Sequence, residues 1–324
     1  MRTVTLGKTS IKISEFIFGA GAIWGIGGSP ATLGLGITRE QGLDRLDEAR
    51  DLGITVVDTA DVYGGGESER TVGAWYQTRK PQNVLLGTKV GSVEGVGPGQ
   101  QRTDLSRPHI ERQLAQSIDR LGHVDLYLSH GPDEDTPLEE TLEAFAAAKE
   151  AGLIRAFGMS NVDAGLLEKL LVTADRNGLP RPGWLQNGLS LLNRDDEANL
   201  LPLAASEGIG YTPYSPLAGG VLSDRYLDRA VPEPGSRIAV AGPLYYPGMH
   251  TPDNLVKVSA LRDFARDREM SVAGMALSWL RAHPLVTAPI VSPSRPEQWS
   301  AVREALRSDL GEEDYRRIGA IFAP

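Results

Sequence analysis

The chain has 324 residues, a formal net charge of -9 and no cysteine. The acidic balance argues against nucleic acid or an anionic membrane as a partner, because both need clustered Lys and Arg facing phosphates. Without cysteine there are no disulfides, thiolate metal centres, iron-sulfur clusters or cysteine nucleophiles, and the length suits either two average domains or one α/β barrel.

Residues 1–7 lack the apolar core of a signal peptide, and no segment approaches about 20 uninterrupted apolar residues, so a cytoplasmic protein is expected. Residues 4–13 read as a β-hairpin. From there short apolar runs alternate with helix-period segments, the pattern of repeated βα units around a parallel sheet. In chain order the predicted strands are 15–20, 54–60, 83–89, 125–130, 156–160, 183–187, 210–214 and 287–292. Between the third and fourth, Ile110, Leu114, Ile118 and Leu121 form a stripe at helical spacing, which reads as core packing. After the fourth, Thr136, Pro137 and Glu139 supply an N-cap, an N1 proline and an N3 acid; that helix runs through Leu142 and Phe145 to a stop at Gly152. The longest irregular stretch, 217–251, is rich in Pro and Gly and follows the seventh strand, and loops of that length are commonly functional. No linker or low-complexity tract divides the chain. The expected fold is α/β: one (β/α)8 TIM barrel over 1–324, with an N-terminal β-hairpin and a long loop after strand seven.

A parallel barrel places its active site at the C-terminal ends of its strands, so the polar residues that close each apolar run are the candidates. The second predicted strand ends in Asp58, Thr59, Ala60, Asp61, Val62, Tyr63, Gly64; the third ends in Lys89 and the fourth in His130. Singly, each has an ordinary reading: a strand-end carboxylate caps a turn, a tyrosine packs, a lone Lys or His is solvated. Together they hold what carbonyl reduction requires. A developing alkoxide needs a proton, and a tyrosine suits if a nearby cation lowers its pKa from about 10. Lys89 would be that cation, Asp58 would hold the ammonium, and His130 would orient the substrate oxygen.

These residues in this order resemble the aldo-keto reductase superfamily, and the resemblance runs over nearly the whole chain. It implies that Asp58, Tyr63, Lys89 and His130 are catalytic. In Gly158, Met159, Ser160, Asn161 it implies that Ser160 and Asn161 bind the nicotinamide carboxamide together with Gln186. It places the ring of Tyr214 against the nicotinamide and Ser215, Pro216, Leu217 and Gly219 along the pyrophosphate. Gly21, Ala22 and Ile23 would lie beside the cofactor, and Trp24 in the substrate pocket. Ser292, Ser294, Arg295 and Gln298 match the loop that holds the adenine end. There the residues also read physically as a helix start, with Ser294 as N-cap, Pro296 and Glu297 in the first turn, and a guanidinium facing an anion. That suits a 2′-phosphate, so NADPH/NADP+ is expected in preference to NADH. Pro132, Asp133, Thr136, Pro137, Glu139, Glu140, Thr141, Leu142 and the run 216–220 are similar to the branch that includes aflatoxin-aldehyde reductases and many bacterial relatives.

The chain departs from its relatives in places. Ser292 and Pro293 stand where a Gly-Ala pair is frequent, Val302 where an Asn is frequent, and Gly188, Leu189, Ser190 where Glu-Tyr-Ser is frequent.

Other signals fail. The early glycines do not complete G-x-G-x-x-G, because Trp24 stands at the third position; the five histidines form no H-E-x-x-H, so no metal is expected. Gly64, Gly65, Gly66, Glu67 lacks the Gly-Lys-Ser/Thr ending of a phosphate loop. The expected partner is a small-molecule carbonyl substrate, and no signal for an oligomeric state is present. Two alternatives stand beside the reductase: a Schiff-base barrel lyase using Lys89, and a cofactor-loaded regulatory subunit of the same fold.

Overall fold

The computed structural model of the protein describes residues 1–93, 102–227 and 231–323. Thr3–Thr5 (β1) and Lys12–Ser14 (β2) pair antiparallel with Thr3 opposite Ser14, which is the expected hairpin. Leu6, Ile11 and Ile13 of this hairpin pack in one cluster with Ile17, Val56, Leu85, Leu126, Ala156, Trp184 and Ile290, so the hairpin plugs the N-terminal end of the sheet.

Eight strands make the parallel sheet: Ile17–Gly19 (β3), Val56–Asp58 (β4), Leu85–Val90 (β5), Leu126–Ser129 (β8), Ala156–Ser160 (β9), Trp184–Gln186 (β10), Gly210–Tyr211 (β11) and Ile290–Val291 (β12). Ser92–Val93 (β6) and Arg102–Thr103 (β7) form a small antiparallel ribbon after β5. The ladder runs β12-β3-β4-β5-β8-β9-β10-β11. Its ends meet: Thr287 N donates to Tyr211 O at 2.8 Å and Ile290 N to Pro213 O at 2.8 Å, closing a (β/α)8 TIM barrel. Seven of the eight strands lie within their expected ranges and β5 runs one residue past its own, to Val90; each is buried along its whole length, because side chains fill the inside while helices cover the outside.

The helices are Arg39–Asp51 (α1), Glu67–Arg79 (α2), Arg107–Leu121 (α3), Leu138–Glu150 (α4), Ala164–Asn177 (α5), Leu200–Glu207 (α6), Arg237–Tyr245 (α7), Pro252–Arg266 (α8), Val272–Ala282 (α9), Trp299–Arg307 (α10) and Glu312–Ile321 (α11). Local chemistry starts several of them. Thr38 and Gln41 form a reciprocal capping box on α1, Asp163 accepts from Leu166 N on α5, and Thr251 accepts from Asn254 N on α8. The α3 stripe is core-facing as expected, with Ile110, Leu114 and Leu121 buried.

Three local expectations are corrected. Helix α4 begins one residue late, at Leu138, because Asp133 accepts from the Asp135 and Thr136 amides and winds Thr136 into a preceding turn. In the loop after β12, Ser294 is not the cap. The Gln298 side-chain oxygen reaches back to accept from Ser294 N at 2.7 Å, Arg295 N at 3.0 Å and Ser294 Oγ at 3.2 Å. The stretch 217–251 is not irregular throughout: it carries helix α7, started by Ser236 Oγ accepting from Ala239 N, although 228–230 lie outside the described residues.

Candidate active site

Strand β4 delivers Asp58 to the mouth of the barrel, and a short turn carries the chain on to Tyr63. Gly64, Gly65 and Gly66 follow with φ of +58°, +64° and +89°, which lets the chain reverse into α2. At Gly64 a Cβ would stand 2.9 Å from both Ile23 O and Trp24 Cβ, so a side chain is doubly excluded. Gly21 packs against the Tyr63 ring in the same way, with a Cβ there only 3.2 Å from Tyr63 Cε2.

Lys89 points inward from β5 and is 1% exposed. A buried ammonium is costly unless every donor is used. Here all three are: Nζ donates to Asp58 Oδ2 at 2.7 Å, to Thr59 O at 2.7 Å and to Tyr63 OH at 3.3 Å. The second Asp58 oxygen, Oδ1, accepts from Gln186 Nε2 at 3.0 Å. Burial opposes the Lys89 charge, but Asp58 and Tyr63 outweigh it and hold the Lys89 pKa above its ordinary value. For Tyr63 the expected downward shift is reversed. Burial raises its pKa and Asp58 adds to the rise, so the downward pull of Lys89 does not prevail.

His130 stands edge-on to Tyr63, with ring centroids 5.4 Å apart at 76°. Its Nδ1 is buried without a partner. Burial, reinforced by the Lys89 charge, pushes its pKa down to about 3, so the ring is neutral.

The expected nicotinamide residues meet beside this cluster. Ser160 Oγ, at the end of β9, donates to Gln186 O. Asn161, at φ +59°, donates to His130 O at 2.8 Å and accepts from Tyr214 OH at 2.7 Å. Gln186 spends its amide nitrogen on Asp58, and its amide oxygen is unengaged among the described residues. Beyond Tyr214 the segment Ser215, Pro216, Leu217 runs to Gly219, where a Cβ would stand 2.8 Å from Ile238 Cδ1 and Tyr246 Cδ2 of the α7 region. Across the mouth, the loop Gly21, Ala22, Ile23 leads to Trp24, which is 45% exposed and held at φ +65° by Ile37 O and Gly34 N. Ser292 lies against β3, with its Oγ only 2.5 Å from where a Gly19 Cβ would be. Arg295 and Glu297 form an exposed ion pair at 3.1 Å, with Ser294 and Gln298 in the turn around them.

The aldo/keto reductase family model matches residues 21–323. The chain belongs to the aldo/keto reductase family. A probable voltage-gated potassium channel subunit beta from Arabidopsis thaliana is 31% identical, covering 92% of this chain and 89% of that protein. An NADH-specific methylglyoxal reductase from Escherichia coli (strain K12) is 30% identical, covering 97% of this chain and 96% of that protein. The holo form of aldo-keto reductase AKR11C1 from Bacillus halodurans superposes with a TM-score of 0.78 at 26% identity, covering 99% of this chain and 96% of that one.

This aldo/keto reductase also places residues at its mouth that the sequence reading passed over. Arg237, the first residue of α7, donates from Nε to Tyr246 OH at 3.1 Å and has no carboxylate partner among the described residues. Its charge reaches the Tyr63 hydroxyl. Tyr245 accepts on its hydroxyl from Ser29 N at 2.9 Å, tying α7 to the loop that follows β3. The only signal was composition: Ser236, Arg237 and the pair Tyr245, Tyr246 are functional residue types inside a long mouth-side loop. Members of the family work with a nicotinamide cofactor. The residues present fit one: an open amide oxygen on Gln186 beside the Tyr63 and Lys89 pair, and guanidinium groups at Arg237 and Arg295 for phosphates.

Proposed function

We propose that this oxidoreductase reduces the carbonyl of an aldehyde or ketone to an alcohol, with NADPH as its preferred cofactor and Tyr63 as the proton donor. One observation carries the reading: a buried Lys89 spends its donors on Asp58, the Thr59 carbonyl and the Tyr63 hydroxyl. The nicotinamide cofactor, when bound, supplies the hydride. Everything else falls to the chain. The Tyr63 hydroxyl gives its proton to the substrate oxygen, and the phenolate left behind rests against the Lys89 ammonium. Asp58 keeps that ammonium in place and Gln186 keeps Asp58 in place. His130, neutral, offers a ring N–H that orients the substrate oxygen. Ser160, Asn161, Gln186 and Tyr214 seat the nicotinamide, Trp24 borders the substrate, and Ser294, Arg295 and Gln298 receive the adenine end.

The same geometry counts against the lyase alternative, since imine formation needs a neutral, free amine and Lys89 is held charged with three partners. The likeness to a potassium channel subunit supports a regulatory reading, in which cofactor binds with little turnover. A panel of aldehydes and ketones, assayed with NADPH and with NADH, separates the two. Turnover that is lost about 10²- to 10⁴-fold in Tyr63→Phe, with cofactor binding retained, is the expected result. Full activity in that variant, or tight NADPH binding without turnover on any carbonyl, overturns the reductase reading.

A further inference from the structure

Between Asp58 and Tyr63, the turn after β4 buries a second carboxyl that the proposed chemistry does not use. Asp61 is 7% exposed, and neither of its side-chain oxygens meets a hydrogen-bond partner. The groups that face it come from every element around it. Helix α2 brings Glu69, which is fully buried and already engaged by the Thr88 hydroxyl at 2.6 Å and the Arg120 guanidinium at 2.6 Å. Helix α3 brings Arg120, β5 brings Thr88 and Lys89, and β8 brings Tyr127.

Glu69 has both of its oxygens occupied by donors and Asp61 has none. Two carboxylates sharing one buried space cannot both be charged without a large penalty, so the single proton belongs on Asp61. Burial first, and then the Glu69 charge, push its pKa up to about 8; the Val62 N–H, which lies near without completing a hydrogen bond, and the Arg120 and Lys89 charges only partly offset them. The backbone of the same residue is tied to the reactive groups: Asp61 N donates to Lys89 O at 3.2 Å, and Tyr63 lies two residues on.

We propose that Asp61 is a positioning residue that carries a proton in the working enzyme, and that its ionisation in alkaline solution disturbs the turn that holds Tyr63 against Lys89. This rests on the reductase reading for its kinetic consequence and not for the protonation itself. The sign follows from linkage. A carboxyl that keeps its proton in the folded state to about pH 8, but loses it near pH 4 when unfolded, makes the folded protein bind the extra proton between those values. Stability contributed by this group therefore falls as pH rises through that window and levels off above it.

Asp61→Asn keeps the shape and removes the ionisation. Thermal midpoints of wild type and Asp61→Asn, read from about pH 5 to about pH 10, should diverge in favour of the variant as pH rises and then run parallel. A difference that stays constant with pH overturns the protonation assignment. In the reductase assay the wild-type kcat should show an alkaline limb near pH 8 that Asp61→Asn lacks. The same limb in both proteins overturns the positioning role. If Asp61→Asn does not fold, Glu69→Gln serves: removing that charge should move the wild-type transition to lower pH, and an unmoved transition overturns the proposal. No turnover in either protein fails the reductase reading and the positioning role with it, while the thermal difference still decides where the proton sits.

Discussion

At the scale of single residues, the Lys89 ammonium is the hub, and its loss should be felt through Tyr63. Lys89→Met leaves Asp58 without its cation and Tyr63 without the pull that offsets burial, so carbonyl reduction should fall steeply. Because both side chains act on one proton transfer, the double variant Tyr63→Phe, Lys89→Met should lose little more than the worse single variant; losses that multiply would show two independent roles. The raised Tyr63 pKa sets the direction of the pH dependence. Reduction needs the protonated hydroxyl and should persist past pH 10 as far as Tyr63 is concerned, while oxidation of an alcohol needs the phenolate and should rise there. A reduction profile in Asp61→Asn that collapses below pH 9 would contradict that assignment. In the loop proposed to hold the adenine end, Arg295 shares its charge with Glu297 across an exposed pair that contributes little stability. Arg295→Ala should weaken NADPH far more than NADH, measured as dissociation constants by fluorescence titration, and equal losses for both cofactors would remove Arg295 from 2′-phosphate recognition.

At the scale of elements, α7 stands at the mouth and is the candidate for control of access. It is tied to the loop after β3 through the Tyr245 hydroxyl, which accepts from Ser29 N, while Ser215 and Gly219 lean on Tyr246 and Ile238 beneath it. Saturating NADPH should slow hydrogen exchange across α7, and Tyr245→Phe should speed cofactor release without slowing its association in proportion. Unchanged exchange in α7 would show that the helix does not respond to cofactor. This element is also where the sequence was least legible. Gly242 and Pro243 sit inside α7 and break its helical pattern, so a short helix read as a glycine- and proline-rich loop. The barrel strands were legible for the opposite reason: runs such as Val56, Val57 and Leu126, Tyr127, Leu128 are buried on both faces and need no alternation. Asp58, Lys89 and His130 were visible because each closes such a run, and Tyr63 because it follows Asp58 in the same turn. Two properties of the site were not. The direction of the Tyr63 shift depends on loops such as the one at Gly21 packing over its ring, and the Gln186 contact with Asp58 joins residues far apart in the chain. Neither leaves a local trace.

At the scale of the whole molecule, the barrel wall closes at the seam between β11 and β12, where both strands are two residues long. Thr287 closes it twice, donating its amide to Tyr211 O at 2.8 Å and accepting from Tyr211 N on its hydroxyl at 3.0 Å. Thr287→Val keeps the volume and leaves the Tyr211 amide without that acceptor, which should cost about 1–3 kcal/mol in urea unfolding with an unchanged m-value. A shift of only a few tenths of a kcal/mol would place the closure elsewhere. The two segments that continue from this seam, Tyr214 to Gly219 and Ser292 to Gln298, are those proposed to hold the dinucleotide. A bound dinucleotide should therefore raise the unfolding midpoint by mass action, and Thr287→Val should recover part of its loss when NADPH is added.

The tie between Tyr245 and Ser29 has a practical consequence in a chain without cysteine. Val240 on α7 and Leu33 on the opposite loop are both solvent-exposed, so Val240→Cys and Leu33→Cys would supply the only two thiols in the polypeptide. Spin labels attached there would turn the width of the mouth into a distance distribution, recorded with and without cofactor on an otherwise native chain and free of background labelling.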